Sequence, residues 1–561
     1  MINKISVPLI FIYLLLLFID AGSTPLRRVF TNGKIIVGNG DGVAETVVIE
    51  GKRILFVGTD RAGEKYQKGK NITTTDLKGK VVIPGFHDGE LDFLIGAGLF
   101  GNKLNFYGLN LESIIHRLKN EKKNTKNKII YGYNFEHLFS NAEKWPNRYD
   151  LDKVSVDSPV VVFSSDGNNA WINSFTLKQF SINRDTPEVA GGRIVRFENN
   201  SPSGILIGKA IDILEGYSFR KSIKKIRPDK EKIIKAIKYA NRFGLTSVTT
   251  YGDLEFVKQL EVLESEQKLN LRFNIILPSE NIGRYLVSKV GFSSGSPHLR
   301  IISVTKKIDG NLYSLTAAMF SEYKNTGNYG FLTTNINDIS DLVSLYRQNG
   351  ITANFNAEGD RGVHSVLNGI RDATKRSSKF FQRYRISNFH FIIDEDIKRL
   401  KKMNVIPVMR IASLIDRAAL IEKLVGPRKA GNVMKAGTLH TMDIKIAFGS
   451  GWPGGSINPL KGIGFAVFRR IKERRNKEYR WFIEEKLSFA DAIRNYTYTP
   501  SYSVSDEART GSIEKGKFAD IVILNGNIFS EDFTEKEFFS NVRVIETIVA
   551  GKTVFKEEVS N

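Results

Sequence analysis

Residues 83–93, which decide the fold, read Ile-Pro-Gly-Phe-His-Asp-Gly-Glu-Leu-Asp-Phe. They follow a run typical of a β-strand, residues 79–83, and their Pro-Gly pair predicts a turn before a second, alternating segment. Because successive side chains of a strand point to opposite faces, Glu90 and Asp92 are predicted to share one face. Two carboxylates are therefore expected side by side near the end of a strand.

The composition is that of a large globular protein. The chain has 561 residues, of which 41% are hydrophobic, enough for a barrel and a smaller domain. Its 82 Lys and Arg against 60 Asp and Glu give a net charge of +22. The positive residues are dispersed and no nucleic-acid-binding motif accompanies them, so we expect no specific nucleic-acid partner. The absence of cysteine excludes disulfides, thiolate ligands and cysteine nucleophiles.

Residues 1–23 are predicted to be a signal peptide. Lys4 precedes an apolar run from Val7 to Ile19, and this run is short for a membrane span. We therefore expect a secreted protein whose mature chain begins near Thr24 and has no membrane span; an uncleaved anchor is the alternative. Three sequons fit a eukaryotic secretory route, and they begin at Asn71, Asn199 and Asn495.

The rest of the chain has β patterns at both ends and mixed patterns between them. Residues 24–84 and 506–561 alternate and turn, which suggests one small β-sandwich built from two halves. In residues 85–505, strand-like and helix-like segments alternate, which predicts an α/β fold with a (β/α)8 barrel of the TIM type. A predicted helix ends at Gly244. The predicted strands are 129–134, 159–163, 245–250, 299–304, 351–355, 385–391, 405–409 and 444–448.

Several motifs resemble those of metal-dependent amidohydrolases, especially the branch called amidohydrolase family 3. The stretch 83–93 is similar to that family's Pro-Gly-Phe-Ile-Asp-Ala-His-x-His, and residues 164–174 are similar to its Asp-Gly-His-x-x-Trp-x-Asn-Ser. The resemblance covers essentially all of the mature chain. It implies a barrel inserted between the halves of the sandwich. It also implies one or two divalent metals at the carboxyl ends of the barrel strands and hydrolysis of non-peptide carbon–nitrogen bonds.

This chain differs from the family at each position where the resemblance places a metal ligand or catalytic group. The surrounding glycines, tryptophan and proline match, so we interpret the changes as loss of the metal chemistry on a retained fold. The substituted positions are Glu90 and Asp92 for the paired histidines, Thr305 for a lysine, Asn356 and Asn388 for two further histidines, and Gly451 for the aspartate that handles the proton.

The barrel mouth is predicted to remain a pocket. Asn168 stands where the family has a histidine, and His390 is in phase with Asn388. The candidates for the lining of this pocket are His87, Asn168, Trp171, Lys307, His390 and Trp452.

Three functional hypotheses follow. The leading one is a secreted, catalytically degenerate amidohydrolase-like protein without a cofactor, retained to bind a small molecule or a protein partner. The rival is an active carbon–nitrogen hydrolase in which Glu90, Asp92, Asn356 and Asn388 supply oxygen ligands to a hard divalent cation. The third is a basic protein that binds glycans, anionic lipid or nucleic acid through its charge.

Overall fold

The structure, a computed structural model, describes residues 26–558 apart from 41, 70, 125–128, 136–144, 165–166, 218–221, 223–225, 282, 284–295, 350–351, 376–382, 473–477 and 531–532. The predicted signal peptide, residues 1–23, lies outside the described residues. Within the described part of the chain, no helix is long and apolar enough to cross a lipid bilayer.

Eight parallel strands form a sheet that closes almost completely into a barrel. After the eighth strand the amide of Gly451 donates to the carbonyl of Glu90, 3.0 Å away, so the chain there meets the first strand. The predicted α/β fold with a (β/α)8 barrel of the TIM type is confirmed. Barrel strands 1 to 8 are, in order, Phe86–Leu91, Leu245–Tyr251, Arg272–Pro278, Leu299–Lys307, Thr352–Asn356, Tyr384–Ser387, Val405–Met409 and Ala447–Phe448.

Barrel strand 3 is missing from the sequence prediction. Arg272 and Asn274 interrupt the apolar pattern in its first half, although both side chains are buried. The guanidinium of Arg272 is neutralised by Asp520, with Nε 2.6 Å from Oδ2 and both side chains almost fully buried. A buried charge inside this strand is tolerated because it is paired with a carboxylate, and that carboxylate comes from the far end of the chain.

Two predicted strands belong to a separate sheet rather than to the barrel. Ile130–Tyr133 and Val160–Phe163 pair with each other in a five-stranded sheet between barrel strands 1 and 2 in the chain. The assignment of these segments to the barrel is therefore corrected: a strand pattern predicts the strand but not its sheet. The order of this sheet is Gly192–Arg196, Pro202–Gly208, Asn169–Ile172, Val160–Phe163 and Ile130–Tyr133.

Helices cover the outside of the barrel. In Lys230–Arg242, Ile233, Ile237 and Ala240 lie buried on one face, and the Asp229 side chain caps the first turn. The helix ends just before Gly244, which has a φ of +82°, as predicted. Among the described residues, the other helices are Asp60–Gly63, Phe93–Leu99, Leu111–Asn124, Arg148–Asp152, Ser174–Gln179, Leu254–Ser265, Ile336–Gln348, Asp360–Lys375, Asp394–Lys402, Leu414–Val425, Pro427–Ala430, Ala436–Thr441, Pro459–Phe468, Phe489–Arg494, Tyr498–Ser503 and Glu535–Asn541.

Two further sheets form the predicted sandwich from both ends of the chain. Val81–Pro84 pairs in parallel with Lys34–Ile36 on one side and antiparallel with Ile521–Leu524 on the other. A buried apolar cluster that includes Val47, Val82 and Ile521 fills this part of the protein. One sheet is Arg53–Gly58, Thr46–Glu50, Arg27–Thr31 and Ile72–Asp76; the other is Lys552–Lys556, Val544–Val549, Ile521–Leu524, Val81–Pro84, Lys34–Ile36 and Val43–Ala44. A hairpin pairs Arg470–Lys472 with Glu478–Arg480.

Candidate functional site

The substituted positions lie at or just beyond the carboxyl ends of barrel strands. Glu90 is near the end of strand 1, Thr305 near the end of strand 4, and Asn356 ends strand 5. Asn388 directly follows strand 6, where it adopts a left-handed φ of +54°, and Gly451 follows strand 8 with a φ of +63°. In a barrel this end is the one where active sites are built.

Glu90 is the centre of a buried hydrogen-bond network. Its Oε1 accepts from the hydroxyl of Tyr251 at 2.8 Å and from Nη2 of Arg410 at 3.0 Å. Its Oε2 accepts from the backbone amide of Asn388 at 2.9 Å. The side chain is 1% exposed. Burial, reinforced by the Glu90 carboxylate, raises the pKa of Tyr251 well above its ordinary value, so the tyrosine stays a donor.

Arg410 provides the positive charge at the barrel mouth. It follows strand 7, and its Nη2 also lies 3.7 Å from Oδ2 of Asp92. Burial alone would lower its pKa, but the carboxylates of Glu90 and Asp92 raise it above the ordinary value for arginine. A Cβ added to Gly451 would lie 2.6 Å from Cδ of Arg410. The arginine stem therefore occupies the space into which an aspartate at position 451 would project.

The residues at these positions do not fit the divalent metal that the family implies. Every oxygen of Glu90 already accepts from an N–H or O–H group, and the hydroxyl of Thr305 accepts from Nδ2 of Asn354 at 3.1 Å. Imidazole and carboxylate are the usual zinc ligands, whereas amide side chains are poor ones. Across the described ranges, no group of three or more His, Cys, Asp or Glu side chains is placed to hold a metal ion.

A second polar layer lies deeper in the barrel. The Nη2 of Arg385 donates to the carbonyl of Gly89 at 2.7 Å, and its Nη1 donates to Ser503. Burial lowers the pKa of Arg385 to about 10. His87 lies between Thr249 and Ser501, at 2.9 and 3.2 Å, and burial lowers its pKa to about 3. This part of the barrel interior is therefore occupied by hydrogen-bonded polar side chains rather than by apolar ones.

A small cavity of about 30 Å³, partly open to solvent, lies beside the Glu90 network. His390 lines it and donates from Nδ1 to the carbonyl of Asn388 at 2.7 Å, which leaves Nε2 as an acceptor. Burial lowers the pKa of His390 to about 4, so the ring is neutral near pH 7. The lining consists of Ser164, Asn169, Asn311, Tyr313, Glu358, Asn388, His390, Arg410, Ser413, Arg417, Ser450, Gly451 and Gly454.

Two further charged residues shape the wall of this cavity. Glu358 accepts from Nδ2 of Asn311 at 3.0 Å and from the amide of Leu312 at 2.8 Å. Arg417 donates to the carbonyl of Gly454 at 2.9 Å and lies over the ring of Tyr313, 4.6 Å from its centre. Both charges are held in place by neighbouring protein groups.

The predicted pocket residues separate into two groups. His390 lines the cavity, and so do the substituted positions Asn388 and Gly451. The other five candidates lie outside its lining. Lys307 contacts Asn168, with Nζ 3.3 Å from Oδ1, at the exposed end of strand 4. His87 belongs to the deeper polar layer. Trp452 packs against Phe93, with ring centres 5.7 Å apart. Trp171 lies in the five-stranded sheet, where its Nε1 donates to the carbonyl of Asn147.

The placement of Trp171 and Trp452 as pocket residues is therefore corrected. The indole of Trp171 is fully buried and its one donor is used within the protein. The ring of Trp452 packs over Gly96, where an added Cβ would lie 2.0 Å from Cζ3. Both tryptophans are packing partners within the fold rather than lining residues of the cavity.

One of the three sequons is also corrected. Asn71 and Asn199 are exposed, as a glycan requires. Asn495 is 6% exposed and its Nδ2 is buried, so a glycan at that atom is incompatible with this fold.

Sequence reasoning missed Arg410, Arg417 and Glu358. One signal was available for Arg410, which directly follows the predicted strand 405–409 and so had to lie at the barrel mouth. Arg417 lies in the helix Leu414–Val425, and Glu358 lies in the turn after strand 5. Neither position carries a periodic or motif signal that separates it from an ordinary surface charge.

Comparisons with known proteins agree with this fold. The model of the family described as "Amidohydrolase family" matches residues 73–555. Protein LONG AFTER FAR-RED 3 of Arabidopsis thaliana is 27% identical over 94% of this chain and 91% of its own length. YtcJ of Bacillus subtilis is 26% identical over 91% of this chain and 96% of its own length. A solved metal-dependent hydrolase of Pyrococcus horikoshii, 22% identical over 91% of this chain and 99% of that one, superposes with a TM-score of 0.69. This chain therefore belongs to the amidohydrolase family.

Proposed function

We propose that this protein is a secreted member of the amidohydrolase family that has lost metal-dependent carbon–nitrogen hydrolysis and binds a small molecule in its barrel mouth. The observation that carries the proposal is the contact between Arg410 and Glu90, whose Nη2 and Oε1 lie 3.0 Å apart. The guanidinium and the hydroxyl of Tyr251 bind one oxygen of this carboxylate and the amide of Asn388 binds the other, so a metal would have to compete with these donors. The side chain of Arg410 also fills the space of the missing aspartate at position 451.

Chemistry supports the same conclusion. Metal-dependent hydrolysis needs a Lewis acid that lowers the pKa of bound water from about 15.7 to about 7, and a group that moves the proton. Gly451 has no side chain that accepts a proton. An arginine, which remains protonated, cannot replace that base. The side chain of Arg410 and the missing side chain of Gly451 therefore do not supply the proton transfer that the family's aspartate performs.

The rival hypothesis, an oxygen-rich site for a hard cation, is disfavoured by the same network. A cation on Glu90 would have to displace the guanidinium of Arg410, the hydroxyl of Tyr251 or the amide of Asn388. Displacing Arg410 would leave a mostly buried charge without its partner, which typically costs about 3–5 kcal/mol. An incoming metal would have to repay that cost as well as its own dehydration.

Elemental analysis of protein purified without chelator tests the proposal. We expect Zn, Fe, Mn and Ni well below one equivalent per chain, and no hydrolysis of N-acyl amino acids, formamides or cyclic amides. Stoichiometric metal together with turnover that EDTA abolishes and metal restores would refute the proposal and establish the rival.

The secreted location is a separate part of the proposal and rests on residues 1–23. Expression in eukaryotic cells followed by N-terminal sequencing of the protein in the medium tests it. We expect a first residue close to Thr24. Protein that stays in the cells, or that reaches the medium with Met1 intact, would contradict it.

A further inference from the structure

Two aromatic rings and an arginine form a stack beside one of the exposed sequons. The rings of Tyr149 and Phe197 lie 5.7 Å apart between centres and are inclined by 14°, and Cζ of Arg148 lies 4.8 Å from the centre of the Tyr149 ring. Tyr149 is 53% exposed and Phe197 is half-buried. Tyr149 belongs to the helix Arg148–Asp152, whereas Phe197 stands two residues before Asn199 in the chain. The open surface of this stack is apolar area that a neighbouring group can cover.

The hairpin turn that carries the sequon has a defined backbone geometry. It joins the strands Gly192–Arg196 and Pro202–Gly208, and the amide of Phe197 donates to the carbonyl of Ser201 at 2.9 Å. The amide of Asn200 donates to the carbonyl of Phe197, also at 2.9 Å, and Asn200 has a left-handed φ of +65°. A type I turn followed by a left-handed residue is a common connection in β-hairpins.

This geometry places the side chains of Phe197 and Asn199 on the same side of the hairpin. Because Arg196 pairs with Pro202, Phe197 stands opposite Ser201, and opposite residues of an antiparallel pair share one face. The hydroxyl of Ser201 donates to Oδ1 of Asn199 at 2.7 Å, and its amide donates to the same oxygen at 3.0 Å. The exposed carboxamide of Asn199 is therefore held on the face that carries the Phe197 ring.

We propose that the first N-acetylglucosamine attached to Asn199 packs against the ring of Phe197 and so stabilises this hairpin. Attachment joins Nδ2 to C1 of the sugar; the amide loses one proton, and the pyrophosphate of a polyprenyl-linked oligosaccharide donor leaves. A pyranose ring presents C–H groups on its faces, and the negative face of an aromatic ring attracts them. The inference rests on the secreted location in the proposed function, because the secretory route supplies that donor.

The other exposed sequon provides a comparison within the same chain. Asn71 directly precedes the strand Ile72–Asp76, and Gly69 stands two residues before it, where the sequon of Asn199 has Phe197. A glycan on Asn71 therefore has no aromatic side chain at the corresponding position. We expect the two glycans to behave differently, although both asparagines are exposed.

Nuclear magnetic resonance of the glycans tests the contact. The protein is secreted from eukaryotic cells, each glycan is trimmed to one N-acetylglucosamine with an endoglycosidase, and the acetyl and ring protons of the sugars are recorded. Protons above the face of an aromatic ring are shifted upfield. We therefore expect the sugar on Asn199 to be shifted upfield of the sugar on Asn71. Asn199→Gln and Asn71→Gln assign the signals by deleting them one at a time.

Variants of the aromatic residue separate a ring contact from a general effect of the turn. Phe197→Leu keeps an apolar side chain without a ring and should abolish the upfield shift, whereas Phe197→Tyr should retain it. Phe539→Leu is the matched control: Phe539 is 46% exposed in the helix Glu535–Asn541, and its loss should leave both sugars unchanged. Urea melts confirm that each variant is folded. The comparison of Asn199 with Asn71 in the wild type decides the matter if Phe197→Leu is not folded.

Hydrogen exchange measures whether the contact stabilises the hairpin. With the glycan on Asn199, the amides of Gly192–Arg196 and Pro202–Gly208 should exchange about two- to ten-fold more slowly than in Asn199→Gln, as expected for one aromatic packing contact. In the Phe197→Leu background, the glycan should make no difference. Removal of the Asn71 glycan should leave exchange in this hairpin unchanged.

Several outcomes would overturn the inference. They are an unoccupied Asn199 in secreted protein, a sugar on Asn199 with the same shifts as the one on Asn71, and an upfield shift that survives Phe197→Leu. If the attached sugar is not shifted, binding of added diacetylchitobiose would assign the rings to an external saccharide. Self-association that Phe197→Leu abolishes would then assign them to a second copy of the chain.

Failure of the secreted location is distinguishable from failure of this inference. A chain that stays in the cells refutes that location. Replacing residues 1–23 by the signal peptide of another secreted protein then still brings the remaining chain to the glycosylation machinery, and the comparison of Asn199 with Asn71 decides on the ring contact. The proposed loss of metal-dependent hydrolysis stands or falls separately, by the metal analysis.

Discussion

The Nη2 atom of Arg410 lies 3.0 Å from Oε1 of Glu90, across the mouth of the barrel from strand 7 to strand 1. Glu90 stands where the family resemblance places a metal ligand, and Arg410 supplies the positive charge that it now meets. The guanidinium of Arg410 therefore gives Glu90 a positively charged partner from within the protein.

Replacing Arg410 by methionine should strongly destabilise the protein. Methionine keeps much of the volume but leaves the carboxylate of Glu90 buried without its partner. Breaking a buried pair in this way typically costs about 3–5 kcal/mol in the free energy of unfolding. Urea denaturation measures the effect.

The double variant Glu90→Gln/Arg410→Met should recover a large part of that loss, because no buried charge remains. Lys401→Met is the control: its pair with Asp443 is exposed, at 3.2 Å, so the change should stay below about 1 kcal/mol. An Arg410→Met protein as stable as the wild type would show that Glu90 does not depend on this arginine.

Restoring the family's aspartate with Gly451→Asp should not restore hydrolysis. The new Cβ would meet Cδ of Arg410 at 2.6 Å, and position 451 has a φ of +63°, which an L side chain adopts at some cost. We expect a loss of about 1–3 kcal/mol in the free energy of unfolding. Adding Arg410→Gly should relieve the crowding but lower stability further, because Glu90 then stays buried without its partner, and turnover should still be absent. Hydrolysis by the single variant would mean that the other substituted positions are compatible with catalysis.

The sequence predicted the barrel, the sandwich and the strand ends at which the substituted residues lie, because periodicity and turn residues are local signals. It did not predict that strand 3 begins with a buried arginine, since Asp520, which neutralises Arg272, is distant in the chain. It also did not predict the Arg410–Glu90 pair. The family motif around residue 90 describes position 90 alone, whereas Arg410, which pairs with Glu90, directly follows a different strand.

The buried His87 should make stability fall in acid. Its pKa is about 3 in the folded protein, against 6.5 ordinarily, so between these values the unfolded chain binds a proton that the folded one does not. The free energy of unfolding then decreases as pH falls, by about 1.4 kcal/mol per pH unit for this group. His87→Gln should reduce the slope between pH 6 and pH 4 by that amount.

Urea melts at several pH values measure the two slopes. Burial raises the pKa of Asp88 and of Asp309 to about 7, which acts in the opposite direction, but both groups are present in the wild type and the variant. His116→Gln, on an exposed side chain, should leave the slope unchanged. Equal slopes for wild type and His87→Gln would mean that His87 is protonated in the folded state.

Glycan occupancy should follow exposure rather than sequence motif. When the protein is secreted from eukaryotic cells, mass spectrometry of its glycopeptides should find glycans at Asn71 and Asn199 and none at Asn495. Asn71→Gln and Asn199→Gln should each remove one glycan and leave the fold intact. A glycan on Asn495 in folded, secreted protein would contradict the burial of that side chain.

The pairing of Val81–Pro84 with Ile521–Leu524 has a consequence for biosynthesis. The strand that leads into the barrel leaves the ribosome early, but its antiparallel neighbour is made roughly 440 residues later. At 5–20 residues per second, that strand waits roughly 20–90 s with one edge uncovered. During this interval an apolar strand edge is open to pairing with other nascent chains. Aggregation during synthesis, and not only the stability of the finished protein, is therefore expected to limit the yield of this protein in any host.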